Sequence, residues 1–176
     1  MPKQKGLLVV LSGPSGAGKG TVVKELLKAS DKIRLSVSAT NRNPRVGEKN
    51  GREYFFTTQK DFETMIDRGE VLEYACYCGN YYGTPKKYVD EQLACGNDVI
   101  LEIEVPGGGQ VREKCPDAVS VFLIPKSFAV VADRLRGRGT EDEQTVRRRL
   151  DAALQEIRQA EDYDYVVIND VLDDCV

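Results

Sequence analysis

The chain has 176 residues, 41% of them hydrophobic and 30% charged, with a net charge of −3. That length supports one domain with a substantial core, and the charge balance gives no global basic field of the kind that draws nucleic acid or membranes. No apolar run approaches the roughly 18 residues of a membrane helix, and the absence of histidine removes Ser-His and Cys-His catalysis.

Met1 to Lys5 lead straight into an apolar run, without the apolar region of a signal peptide, so a cytoplasmic location is expected. Cys76, Cys78, Cys95, Cys115 and Cys175 are odd in number and scattered. They read as reduced thiols used as small apolar residues, with no second pair to complete a zinc site.

Leu7 to Leu11 reads as a buried-type strand. It feeds Gly13-Pro14-Ser15-Gly16-Ala17-Gly18-Lys19-Gly20-Thr21, which matches the phosphate-loop spacing G-x-x-x-x-G-K. Such a turn aims backbone N–H groups and a helix N-terminus at a phosphate chain. Lys19 is expected to reach the β- and γ-phosphates of a nucleoside triphosphate. Gly20 stands where a Ser or Thr hydroxyl normally holds Mg²⁺. Thr21 either reaches the α-phosphate or caps the helix.

A helix is expected over residues 18–30, with Val22, Val23, Leu26 and Leu27 on one stripe, then a strand over 33–38. Residues 40–52 read as a loop and 53–57 as a short aromatic strand. Thr58 and Asp61 resemble a capping box for a helix to Arg68, closed by Gly69. Residues 71–78 form a strand candidate. Residues 80–85 read as a turn, with Thr84 an N-cap and Pro85 at the first position of a helix that runs to Ala94 and stops at Gly96. A core strand is expected over 98–105, then Pro106 to Gly109 and a short helix. Further expectations are a strand over 119–124, a helix from Ser127 to Arg136, a long helix from Thr140 to Ala160, and a strand over 165–169. Alternating strands and helices imply an α/β fold with a parallel core sheet. The change of pattern between residues 36 and 84 implies a small inserted lobe.

Three constellations carry chemistry. Glu102 and Glu104 end a core strand, where open α/β sheets bind ligands; a spacing of two places both on one strand face, and one could hold Mg²⁺ through water. Arg42 and Arg45 in the loop after Ser38 suit bidentate phosphate binding, as do Arg134 and Arg138, whereas Arg147 and Arg148 read as solvated charge. Tyr54, Glu73, Tyr82 and Thr84 lie in the inserted lobe. A carboxylate there could accept the N1 and N2 donors of guanine, a pair adenine lacks, but only if these residues assemble into one pocket.

The segments Ser12 to Thr21, Ser36 to Arg45, Gly47-Glu48, Gly51 with Tyr54-Phe55-Phe56, Gly69 to Tyr74, Gly79 to Pro85, Arg134-Leu135 with Gly137 to Thr140, and Val166 to Asp170 together resemble guanylate kinase, in order along nearly the whole chain. The resemblance implies a three-layer P-loop fold in three parts: a core of residues 1–35 and 86–176, a GMP-binding lobe over 36–85, and a lid over 137–147. It implies ATP-dependent phosphorylation of GMP, and possibly dGMP, with Mg²⁺. By motif position it assigns Ser38, Glu73, Thr84 and Glu104 to guanine. Arg42, Arg45, Tyr54 and Tyr82 fall to the GMP phosphate, and Lys19, Arg134, Arg138 and Arg149 to the transferring phosphoryl group, with Glu102 on the metal side. Gly20, Glu102, Glu104 and the Pro106-Gly107-Gly108 stretch depart from the usual pattern. The Gly-Lys-Gly-Thr run also resembles adenylate kinases, and non-catalytic guanylate-kinase-like binding modules share the family's outline; Glu73 argues against the first and the retained loop lysine against the second.

Overall fold

A computed structural model of the chain describes residues 5–127, 129–130, 132 and 143–176. Five strands form a parallel sheet: β1 (Leu8–Ser12), β2 (Ile33–Leu35), β7 (Asp98–Glu102), β8 (Val119–Pro125) and β9 (Tyr165–Asn169), in the order β2-β7-β1-β8-β9. Their side chains alternate between two cores, as the two-residue repeat of a strand requires. Leu8, Val10, Val99, Leu101 and Phe122 join one cluster, with Val89 and Leu93 of α3 (Lys86–Ala94) and Val105 and Val111 of α4 (Val105–Lys114). Leu11, Ile100 and Leu123 face the other way, onto Val22 and Val23 of α1 (Lys19–Ala29). The central strands β7, β1 and β8 are therefore covered on both faces, the condition under which parallel strands are apolar throughout, whereas edge strand β9 leaves Tyr165, Val166 and Ile168 exposed. This bears out the parallel α/β core expected from the sequence.

The inserted lobe is a second sheet of order β4-β3-β6-β5, built from β3 (Ala39–Thr40), β4 (Phe55–Phe56), β5 (Val71–Tyr77) and β6 (Asn80–Pro85). Helix α2 (Gln59–Asp67) packs on it: Phe62 is fully buried and stacks on Tyr81 with ring centroids 5.2 Å apart. Thr58 caps α2 as expected, accepting from the Asp61 N–H, and a left-handed Gly69 ends it. Gln110 of α4 joins lobe to core by a sheet-like pair of bonds: its Oε1 accepts from Tyr74 N at 3.2 Å and its Nε2 donates to Tyr74 O at 3.0 Å.

Several boundaries differ from expectation. Strand β2 stops at Leu35, and β3 falls where a loop was expected. Residues 80–85 form strand β6, paired antiparallel with β5; the turn is Cys78-Gly79, both with positive φ (49° and 76°), the requirement of a tight two-residue hairpin turn. Pro85, not Thr84, takes the N-cap position of α3. Strand β7 ends at Glu102, Glu104 is the N-cap of α4, and Pro106 to Gly109 lie inside that helix. Ser127 accepts from Val130 N at 3.4 Å, but most of the expected 127–136 helix, Thr140 and most of the lid lie outside the described residues. The long helix, α5, runs Glu143–Ile157 and continues as a 3-10 turn to Asp162. A short α6 (Leu172–Cys175) follows β9. All five cysteines are free, but Cys76, Cys78 and Cys95 are exposed rather than packed as small apolar residues. Among the described residues no helix is long and apolar enough to cross a membrane.

Candidate active site

The loop between β1 and α1 is shaped by its glycines. Gly16 and Gly18 have φ of 83° and 93°, conformations only glycine adopts at little cost. A Cβ on Gly13 would stand 2.2 Å from the Leu123 carbonyl oxygen, so β8 holds the loop too closely for any other residue. Gly18 takes the N-cap position of α1 with no side-chain bond, so Thr21 does not cap the helix. Lys19 is nearly buried and donates to Gly13 O at 2.6 Å, bridging the loop it belongs to. Asn169, at the end of β9, donates to Ala17 O at 2.8 Å and anchors the loop from the far side.

Across the cleft, Ser38, Tyr54, Glu73, Tyr82, Glu102 and Glu104 line one cavity of about 640 Å³. Tyr54 and Tyr82 meet edge to face at 5.9 Å, and the Arg42 guanidinium lies over the Tyr54 ring at 5.4 Å. Glu48 organises the basic loop. Its carboxylate accepts from Arg42 Nη2 at 2.9 and 3.0 Å and from Arg45 N at 2.7 Å. The Arg42 bond, with that of the Arg45 N–H, holds the Glu48 carboxyl below its usual range. The planar fork is thereby aimed before any phosphate arrives.

Glu73 is buried, and burial pushes its carboxyl up; the Thr84 hydroxyl bond at 2.7 Å and the charge of Lys114 pull the other way. Thr84 is itself buried and donates its hydroxyl to Glu73. A Cβ on Gly107 would fall 2.8 Å from Glu73 Oε2, so this glycine of α4 makes the room in which the carboxylate sits.

Glu102 and Glu104 do not share a strand face as expected. Glu102 is half-buried, and burial raises its proton affinity against the pull of Lys19. Glu104, past the strand end, is 71% exposed and 3.9 Å from Lys19 Nζ. A β-carbon on Gly20 would lie 3.5 Å from Glu102 Oε1 and 3.8 Å from Oε2. The carboxylate therefore faces the space a loop hydroxyl would fill, and its hard oxygens suit Mg²⁺. Among the described residues no group of three or more His, Cys, Asp or Glu side chains is placed to hold a metal ion. Arg149 is on α5, while Arg134 and Arg138 lie outside the described residues. A larger cavity of about 810 Å³, beside Phe55, Met65 and Tyr88, shares no residue with the cleft and holds none of the residues assigned a catalytic or binding role from the sequence.

Sequence reasoning missed three residues that this geometry brings forward: Glu48, Gln110 and Asn169. Glu48 and Asn169 lay inside resembling segments but carried no role. No local pattern marked Gln110, whose partner is distant in the chain.

The family model described as guanylate kinase matches residues 5–176. A guanylate kinase of Halalkalibacterium halodurans is 53% identical over 170 residues, covering 97% of this chain and 83% of its own. That of Desulfitobacterium hafniense is 48% identical over 170 residues, covering 97% and 85%. The crystal structure of guanylate kinase from Anaplasma phagocytophilum superposes with a TM-score of 0.73 at 34% identity, over 99% of this chain and 82% of that one. With a glycine loop, a buried carboxylate and an ordered arginine arranged about one cleft, the chain belongs to the guanylate kinase family.

Proposed function

We propose that this chain transfers the terminal phosphoryl group of ATP to GMP, giving ADP and GDP, at the cleft between the glycine loop and the inserted lobe. The observation that carries this reading is one cavity lined at once by buried Glu73 in the lobe and by Glu102 and Glu104 beside Lys19. The donor triphosphate binds the backbone N–H groups of residues 13–21 and Lys19. Glu73 accepts two N–H donors from the guanine edge, with Ser38 and Glu104 beside it. Thr84 acts on the base through Glu73. Arg42, Arg45, Tyr54 and Tyr82 hold the GMP phosphate.

That phosphate is already an anion, so no strong base is required. The protein's contribution is alignment and electrostatic stabilisation of spreading negative charge. Lys19 and Arg149 supply positive charge near the transferring group, with Arg134 and Arg138 assigned the same role. Glu102 would hold Mg²⁺ through water, and the ion would supply further positive charge against the phosphates. The lobe over residues 36–85 and the lid over 137–147 close on the substrates and exclude water. A cytoplasmic location goes with these substrates.

Coupled-assay turnover with GMP, AMP, UMP and CMP tests the reading. A strong preference for GMP is expected, and preference for any other base overturns it.

A further inference from the structure

The buried carboxylate of Glu73 stands at an irregular point of the lobe sheet. Along β5 and β6 the register runs Val71 against Pro85 and then Tyr74 against Gly83, so Leu72 and Glu73 together oppose the single residue Thr84. This is a β-bulge, which bends its strand and re-aims the side chain it carries. The ladder is broken where Glu73 sits, so strand pairing alone does not fix where its carboxylate points.

Helix α4 supplies the missing restraint. Strand β5 is an edge of the lobe sheet, and an edge presents unpaired N–H and C=O groups. At Tyr74, the residue after Glu73, Gln110 takes both: its Oε1 accepts from Tyr74 N at 3.2 Å and its Nε2 donates to Tyr74 O at 3.0 Å. One turn further along α4, Lys114 Nζ donates to Val71 O at 3.4 Å. One turn before Gln110 is Gly107, where a β-carbon would stand 2.8 Å from Glu73 Oε2. Residues 107, 110 and 114 share one helix face, so both ends of the bulge and its carboxylate lie against α4. The same helix begins at Glu104, its N-cap. A carboxylate from the lobe and one from the core are thus referred to a single rigid element.

We infer that Gln110 is a positioning residue for base recognition: by clamping Tyr74 it holds the bulge in register with α4, so that Glu73 and Glu104 meet one purine edge together. This rests on the reading of Glu73 as the acceptor for guanine. The clamp acts most on the exocyclic 2-amino group. To accept from N1 and N2 at once, the carboxylate must lie in the plane of the base edge, whereas a displaced carboxylate still reaches N1 alone. Inosine monophosphate (IMP) keeps the 6-oxo group and the N1 hydrogen but lacks the 2-amino group. Gln110 therefore separates GMP from IMP while touching neither.

Initial rates of the wild-type chain, Gln110→Ala and Gln110→Met with GMP and with IMP at saturating ATP test this. In both variants KM for GMP is expected to rise about tenfold, with kcat and KM for ATP within about threefold. The use of IMP changes little, so the GMP-to-IMP ratio of kcat/KM falls about tenfold. A glutamine that serves stability alone predicts a lower melting temperature with that ratio unchanged. An unchanged ratio in Gln110→Met overturns the inference, and methionine keeps the length and helix propensity of the side chain if Gln110→Ala fails to fold. A wild-type chain that uses IMP as well as GMP, or prefers another base, would instead overturn the reading of Glu73.

Discussion

Glu102 Oε1 lies 3.5 Å from the point where a β-carbon on Gly20 would stand. The loop position that lacks a hydroxyl is thus faced by a carboxylate from the neighbouring strand, at ordinary contact distance. A serine at position 20 therefore fits without displacing the chain. Gly20→Ser is expected to shift the melting temperature by no more than about 2 °C and to lower the Mg²⁺ concentration for half-maximal activity. Glu102→Gln is expected to raise that concentration about tenfold. Mg²⁺ titrations at fixed ATP read both; a Glu102→Gln curve that overlays the wild type removes Glu102 from the metal side.

The buried carboxyl of Glu73 gives a pH-dependent prediction. Its folded proton affinity lies above the ordinary value of 4.5, so the folded state binds more protons than the unfolded state between the two values. Stability therefore falls as pH rises through that window, and the cost is complete above it. Glu73→Gln keeps an acceptor for Thr84 and removes the charge. It is expected to melt about 2–4 °C higher near pH 7.5, roughly 1 kcal/mol for a chain of this size, with the gain vanishing below pH 4.5. The same variant should bind GMP about 100-fold more weakly and ATP unchanged. Thermal melts across pH, paired with titration of each nucleotide, separate the two effects.

Glu48 touches no substrate in the proposed arrangement, yet it fixes the Arg42 guanidinium and the backbone of the basic loop at Arg45. Removing its bonds to Arg42 Nη2 and Arg45 N frees a long side chain that must then be ordered on binding, at about 1 kcal/mol or more. Glu48→Gln is expected to raise KM for GMP about tenfold while leaving KM for ATP within about twofold. Initial-rate kinetics with each substrate varied in turn check this, and an equal rise in both would place Glu48 in general folding instead.

Gly107→Ala sets two effects against each other. In a helix interior alanine is favoured over glycine by about 1 kcal/mol. Here the added carbon would stand 2.8 Å from Glu73 Oε2 and must push the carboxylate out of its seat. The expected result is a protein of equal or greater thermal stability with GMP binding weakened about tenfold and ATP binding unchanged. Retained GMP affinity would show that Glu73 moves freely.

The parts legible in the sequence were those whose cause is local. The glycine loop is a contiguous pattern, and it forms between β1 and α1 where expected; Thr58 with Asp61, three positions on, is a local cap and forms as read. Residues 80–85 were misread because Asn80, Gly83 and Pro85 favour turns, whereas pairing with β5 decides the matter. Gly83 sits in a strand because a Cβ there would lie 2.5 Å from Glu73 O, a close approach that no neighbour in sequence reveals. The same holds for α4. Pro106 to Gly109 looks like a loop by composition, but Glu73, Ser12 and Tyr163 crowd Gly107 and Gly108 from other elements. The cleft itself was legible as a set of residues, not as a shape: Glu102 and Glu104 were paired by strand spacing until the strand ended between them. Gln110 and Asn169 act on partners 36 and 152 residues away, and no pattern along the chain announces such contacts.

The bond from Asn169 to Ala17 spans 152 residues and has a consequence for biosynthesis. The glycine loop leaves the ribosome well before its anchor, which arrives only with β9. Contacts of such separation form late and slowly. A nascent chain halted before β9 would carry the whole loop sequence and still lack the strand that steadies it, so tight nucleotide capture would mark a finished sheet, and a cell that supplies ATP in excess would draw newly completed chains toward the folded state.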